Sequence, residues 1–353
     1  MTLADARLDA LRLLGDPPAD RVIEQLATSG RLTQVNELLR HLQANHQPIP
    51  QELPVPVRDF LAATSSPPAW ADPARLARAA DLAAQHGLAL ALILCSGSLV
   101  DCYAARKGVK VLTFTHRLDQ SAHRRVAETA QFVLMLFSRE SFVRRGHAVP
   151  AIQKVRLLHA AIRCLIKQSG RWPRAELGEP ICQEDLLGTL MAFTVVVWRG
   201  LRRLGIQLSP AECEDYLYLW RVTGELLGIM PEIIPTDVAE AEATCDAIAR
   251  RHHGPSPEGV LMTRALLHLH QHLLPGRLFE GAMAAVIRLM VGEGIADWME
   301  VPHTRWQHVA DHLSVLGRHT AEPHSALVRH AIGVASRTLL FSNALMLGGF
   351  RRA

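Results

Sequence analysis

No pair of cysteines in this chain has C-x-x-C spacing, so neither a zinc knuckle nor a thioredoxin-type redox site is indicated. The six cysteines, Cys95, Cys102, Cys164, Cys182, Cys213 and Cys245, lie far apart on apolar segments and read as reduced, buried thiols. No excess of one charge sign is present: the formal charge is +4, and the basic residues come only in short pairs such as Arg124-Arg125, Arg144-Arg145 and Arg202-Arg203. A nucleic-acid-binding surface would need a stronger, clustered excess. The first residues, MTLADARLDALRLLGD, carry three aspartates and no basic start ahead of an apolar run, unlike a signal peptide. The longest apolar stretches, 87–100 and 186–198, fall short of the roughly 18–20 residues of a spanning helix and read as buried helices. A soluble, cytoplasmic protein without a membrane span is expected.

Alternating strand patterns are also missing, and helical periodicity dominates. Helices are expected over 3–14, 20–44, from Asp72-Pro73 to near Gly87, and over 88–106, 120–138, 151–168, 183–204, 210–228, 236–252, 257–273, 276–291, 304–317 and 324–346. The one strand candidate is 109–118, VKVLTFTHRL. A proline-rich connector from Pro48 to Pro56 separates a small N-terminal helical extension, 1–50, from a single large helical domain, 51–353. The fold class is all-α.

Two polar groups lie in apolar stripes. In KVRLLHAAIRCLIKQ, at about 100° per residue, Val155, His159, Ile162 and Ile166 share a face, with Arg156, Arg163 and Lys167 on a neighbouring one. That pattern suits either a hydrogen-bonded core histidine or a haem site, which needs an imidazole for iron, apolar contacts for the porphyrin and cations near the propionates. The sequence has no C-x-x-C-H, so such a haem would be held non-covalently. One helix earlier, Arg125, Thr129, Phe132 and Leu136 share a face. A buried guanidinium needs an anion. Glu128, three residues on, is one partner; a haem propionate, or dioxygen at the iron, is the other.

These segments also carry a resemblance. The chain resembles the latex-clearing rubber oxygenases and the prenyl-cleaving oxygenase of mycophenolic acid biosynthesis, from about Leu53 to near residue 340. The similar stretches are LPVPVRDFLAATSSPPAWADPARLARAADLAAQHG, GSLVDCYAARKGVKVLTFTHRL, RRVAETAQFV, KVRLLHAAIR, GEPICQEDLLGTLMAF and LYLWRVTGELLGI. The resemblance implies an all-helical haem b fold, with globin-like packing of helices around one haem. It makes His159 the proximal iron ligand and puts Arg125 and Thr129 in the haem pocket. Glu128 stands where the rubber oxygenases carry a lysine able to occupy the distal iron position. Their distal glutamate has no match between Val100 and Leu118, where Asp101 is the one acid.

The expected function is a haem b-dependent oxygenase that takes dioxygen and a small apolar, alkene- or isoprenoid-containing substrate rather than the polymer. Arg125, Thr129 and Glu128 are its catalytic residues, and His159, Arg125, Thr129, Phe132, Arg156 and Arg163 bind the cofactor. Leu136 and Leu158 are expected as further apolar, core-facing walls. A haem-binding sensor or carrier is the alternative, and the sequence leaves oligomeric state open. Other clusters read blandly. His268, His270 and His272 suit a solvated helix face, since no Glu beside them makes an HExxH motif. His252-His253 reads as a helix end, Glu300–His303 is interrupted by Pro302, and Trp220, Arg221, Gly224 and Gly228 suit either close helix packing through the glycines or a haem wall.

Overall fold

The computed structural model describes residues 5–31, 39, 42–114, 118–273 and 281–308; the side chains of 118–125, 127, 272 and 273 fall outside that description. Among the described residues the chain is all-α. Its helices are α1 (Asp5–Arg12), α2 (Pro17–Thr28), α3 (Val55–Ala63), α4 (Pro73–Ile93), α5 (Leu99–Ala104), α6 (Val109–Phe114), α7 (Leu118–Leu136) and α8 (Ala148–Gln168). There follow α9 (Arg174–Leu177), α10 (Gln183–Arg203), α11 (Pro210–Leu226), α12 (Val238–His252), α13 (Pro257–Leu273), α14 (Ala282–Val291) and α15 (Glu293–Trp298). The helix expected over 324–346, and most of that over 304–317, lies outside the described residues.

Local chemistry explains several boundaries. Pro17 and Pro18 open α2, where a proline's missing N–H costs nothing. The helix expected to run to residue 44 stops at Thr28, because Gly30 takes φ +67°. The Gly30 and Arg31 amides then close back onto the carbonyls of Ala27 and Leu26, a Schellman ending. Conversely, the break expected near Gly87 is only a kink at His86, with φ −111° and ψ 15°. The helix continues through a π turn, Leu94–Ser98, into α5. The resulting stretch, Pro73–Ala104, has 32 residues and is long and apolar enough to cross a membrane by length and composition. Most of its apolar window is buried inside the protein.

Residues 109–114 of the strand candidate form a helix, and 115–117 lie outside the described residues. Val109, Val111 and Thr113 favour strands by type, but the helical cost of β-branching is a few tenths of a kcal/mol per residue. Burial of Val109 and Val111, with a Lys110–Glu258 ion pair at 2.7 Å, outweighs it.

The chain divides into two compact units, the first of residues 1–84, 131–190 and 214–247, the second of 85–130, 191–213 and 248–353. In the first, α2, α3 and α8 bury a cluster that includes Val22, Ile23, Leu26, Val57, Phe60, Leu157 and Ala160. In the second, α5, α6, α13, α14 and α15 enclose Val100, Tyr103, Val109, Met262, Leu266, Leu269, Ile287 and Met299.

Candidate functional site

The long helix α8 carries His159 near its middle. It begins at Ala148 rather than 151, since Pro150 in the first turn gives up no intrahelical hydrogen bond. One face, with Ile152, Arg156, Ala160 and Arg163, is buried. Val155, His159 and Ile162 along its edge are half-buried. Beyond them Leu158 and Leu165 are 54% and 57% exposed, so Leu158 is not the core-facing wall expected from sequence. It lies about 100° around the helix from His159, further from the buried stripe.

The His159 Nδ1 is shielded from solvent and has no hydrogen-bond partner, although the residue keeps some accessible surface. Burial, then the neighbouring Arg163 charge, push this imidazole down to about 4, with Asp16 opposing. It is therefore neutral at physiological pH, the form with a lone pair to offer a metal. These observations fit a haem ligand: a neutral, unsatisfied imidazole beside a ribbon of incompletely covered aliphatic side chains that a flat apolar macrocycle would cover.

Arg156 and Arg163, expected as cations near the propionates, are engaged within the protein. Both are buried and turned toward acids near the N-terminus. Arg156 donates from Nε and an Nη to the two oxygens of Asp16 at 2.6 and 2.9 Å. Arg163 donates to Asp20 at 2.7 Å and to the Ile181 carbonyl at 3.1 Å. Asp16 stands at the N-cap of α2 yet makes no side-chain cap bond, because its carboxylate is committed to Arg156. Gln183 completes the cluster, donating to the carbonyls of Gly15 and Gly228, both at 2.9 Å. Local periodicity carries no signal of these partners, which lie 140 and 143 residues away in sequence.

The remaining expected site residues are more dispersed. Phe132 is half-buried and Leu136 fully buried, both in the first unit. Thr129, half-buried, and Glu128, exposed, belong to the second. The side chain of Arg125 lies outside the described ones. Asp101 is half-buried, its carboxyl pushed up by burial and pulled back by His253, Arg199 and Arg203. The His253 Nε2 lies 3.7 Å from it, so the second residue of the His252-His253 pair faces a carboxylate.

The histidine cluster on α13 needs correction. His268 is exposed, but His270 is 2% exposed, with both ring nitrogens buried and unpartnered. Burial pushes its imidazole down to about 4. Thr263, two turns earlier on the same stripe, is also fully buried with an unpartnered hydroxyl. The signal was available: steps of two residues carry 268 and 270 to opposite sides of a helix, and 270 falls in line with 263 and 266.

Of possible metal ligands among the described residues, Glu293, Asp297 and His303 cluster at the surface. Arg288 already pairs with both carboxylates there, with Asp297 at 2.6 Å. Gly224 packs closely, as expected: a Cβ there would lie 3.1 Å from Leu190. At Gly228 the close approach is to the Asp16–Arg156 pair instead.

Residues 82–322 match the family model described as ER-bound oxygenase mpaB/B'/Rubber oxygenase, catalytic domain. The rubber oxygenase of Streptomyces sp. (strain K30) is 28% identical over 285 residues, which cover 80% of this chain and 69% of that protein. A solved structure of latex clearing protein in the closed state superposes with a TM-score of 0.81 at 24% identity, covering 94% of this chain and 91% of the other. That likeness bears on the fold, and it agrees with the all-helical architecture. With well over half of its length matched by the family model, the chain belongs to this oxygenase family and is an enzyme of the oxidoreductase class.

Proposed function

We propose that this protein is a haem b-dependent oxygenase for a small apolar substrate containing an alkene or isoprenoid unit, with His159 as the residue that would hold the iron. The observation that carries the reading is the His159 ring itself, neutral, with a shielded and unsatisfied Nδ1, at the edge of a partly uncovered aliphatic stripe. Because Nδ1 is shut off from solvent, iron would be held through Nε2, where the neutral ring can offer a lone pair. Haem iron, when bound, supplies the means of activating dioxygen toward an alkene.

Val155, Ile162, Leu158 and Leu165 would supply apolar contact to the macrocycle. Arg125 and Thr129, matched to the family's Arg-x-x-x-Thr pair, are assigned to orienting dioxygen, and Glu128 to holding a proton beside them. The relative from Streptomyces is named for rubber, a polyisoprene, which supports an isoprenoid-like double bond as the reacting group. Arg156 and Arg163 serve the cofactor through the helix they brace, since their guanidinium groups are engaged by Asp16 and Asp20.

The test is a purified preparation from haem-supplemented cells. It should carry haem b that acidified solvent extracts completely, show a carbon monoxide adduct on reduction, and consume oxygen when given isoprenoid alkenes. A colourless protein that stays colourless on haem titration contradicts the proposal. Haem without oxygen consumption across such a substrate panel would turn the reading toward a sensor or carrier.

A further inference from the structure

The polar cluster behind His159 has no place in a family reading confined to residues 82–322, because its acids lie at positions 16 and 20. It is nonetheless among the most tightly built parts of the first unit. Arg163 is 1% exposed and Gln183 2%. Glycine is required on two sides: a Cβ at Gly15 would lie 2.8 Å from the Asp20 carboxylate, and one at Gly228 would lie 2.5 Å from that of Asp16. Ile181, which offers its carbonyl to Arg163, holds φ +50°. That is left-handed backbone that a β-branched residue adopts only when its surroundings enforce it. The N-terminal segment is also sewn to the residues before and within α10. Gln183 N–H donates to the Leu14 carbonyl at 2.8 Å, Glu179 N–H to that of Arg12 at 2.9 Å, and Arg12 pairs with Asp185 at 2.5 Å.

The two guanidinium groups flank His159 at three residues before and four after, one helical turn to either side. The charged groups acting on its ring are Arg163 and Asp16, both members of this cluster. Resting on the assignment of His159 as the iron ligand, we infer that Asp16 and Asp20 are positioning residues for that ligand: the segment ahead of the family-matched region fixes the His159 helix and balances the buried cations on either side of the imidazole. Removing one carboxylate leaves an uncompensated buried guanidinium one helical turn from His159. With haem bound, that charge would disfavour the ferric state and raise the midpoint potential, and it would loosen the helix that presents the ligand.

The experiment compares the full-length holoprotein with Asp16→Asn, Asp20→Asn and the double variant Asp20→Asn/Arg163→Met. Rates of haem transfer to apomyoglobin, ferric/ferrous midpoint potentials and urea midpoints are measured for each. Each single variant should lose haem about 10- to 100-fold faster, the range typical of ligand-orienting partners, with an upward shift in potential. The double variant removes both charges of one pair and should bring the potential back toward wild type. Single variants with wild-type transfer rates and potentials overturn the inference, as does a double variant whose potential stays with the single one. If Asp16→Asn fails to fold, Asp20→Asn and its double carry the test alone. The underlying reading fails separately: haem retained by His159→Ala would sink it whatever the aspartate variants do, whereas haem lost from His159→Ala with unaffected aspartate variants sinks only the inference.

Discussion

Gly228→Ala should be far more damaging than an ordinary glycine substitution at positive φ, and the structure says by how much. Two terms act. At φ +88° an alanine pays the left-handed penalty of about 1–2 kcal/mol. Its Cβ would also stand 2.5 Å from Asp16 Oδ2 and 2.6 Å from Arg156 Nε, so the buried pair must separate. Breaking such a pair costs about 3–5 kcal/mol when one charge is left without its partner. Partial relaxation makes the sum smaller than both terms added, so a loss of about 3–5 kcal/mol is expected. Gly30 is the control. It has φ +67°, and a Cβ there would meet nothing within 4 Å, so Gly30→Ala should cost about 1–2 kcal/mol, the backbone term alone. Urea unfolding of both variants, followed by circular dichroism, measures the difference. Equal losses would show that the Asp16–Arg156 contact is loose and that the tight-cluster reasoning is wrong.

Three further outcomes are expected. His270 has a folded-state pKa of about 4 against an ordinary 6.5, so between those values the unfolded chain binds more protons and stability falls as pH drops. His270→Leu should remove about 2–3 kcal/mol of the loss between pH 7 and pH 4.5, read from urea midpoints of the apoprotein, and an unchanged pH slope would mean that His270 finds a partner. Arg125→Ala should lower haem occupancy or oxygen reactivity much more than Arg124→Ala does; matching behaviour would make Arg125 a partner of Glu128 alone. Glu128→Gln should slow turnover with the haem spectrum nearly unchanged, and full activity would return Glu128 to an exposed charge without a catalytic part.

Helices whose apolar stripes stay regular were legible to within a few residues: α10, α11, α12 and α13 were expected over 183–204, 210–228, 236–252 and 257–273. The failures have separate physical causes. In the strand candidate 109–118, valine and threonine prefer extended backbone, whereas packing in the second unit makes 109–114 a helix. Gly30 ended a helix that hydrophobic periodicity alone would have continued. The place of His159 on an apolar stripe was visible from spacing, since it depends on residues within one helix. The partners of Arg156 and Arg163 were not, because a cation's counter-ion across 140 residues leaves no periodic trace. The three-histidine run on α13 misled by its clustering in sequence, which a helix disperses around its axis.

The central claim is that His159 binds iron, and ligand replacement tests it most directly. His159→Gly, prepared with and without added imidazole, should lose the absorption spectrum of the histidine-ligated haem and regain it when imidazole fills the space left by the side chain. His268, exposed on α13, makes His268→Gly a suitable control for general damage. A His159→Gly protein that keeps the wild-type spectrum without imidazole would show that another side chain holds the iron, and the account built on this helix would be contradicted.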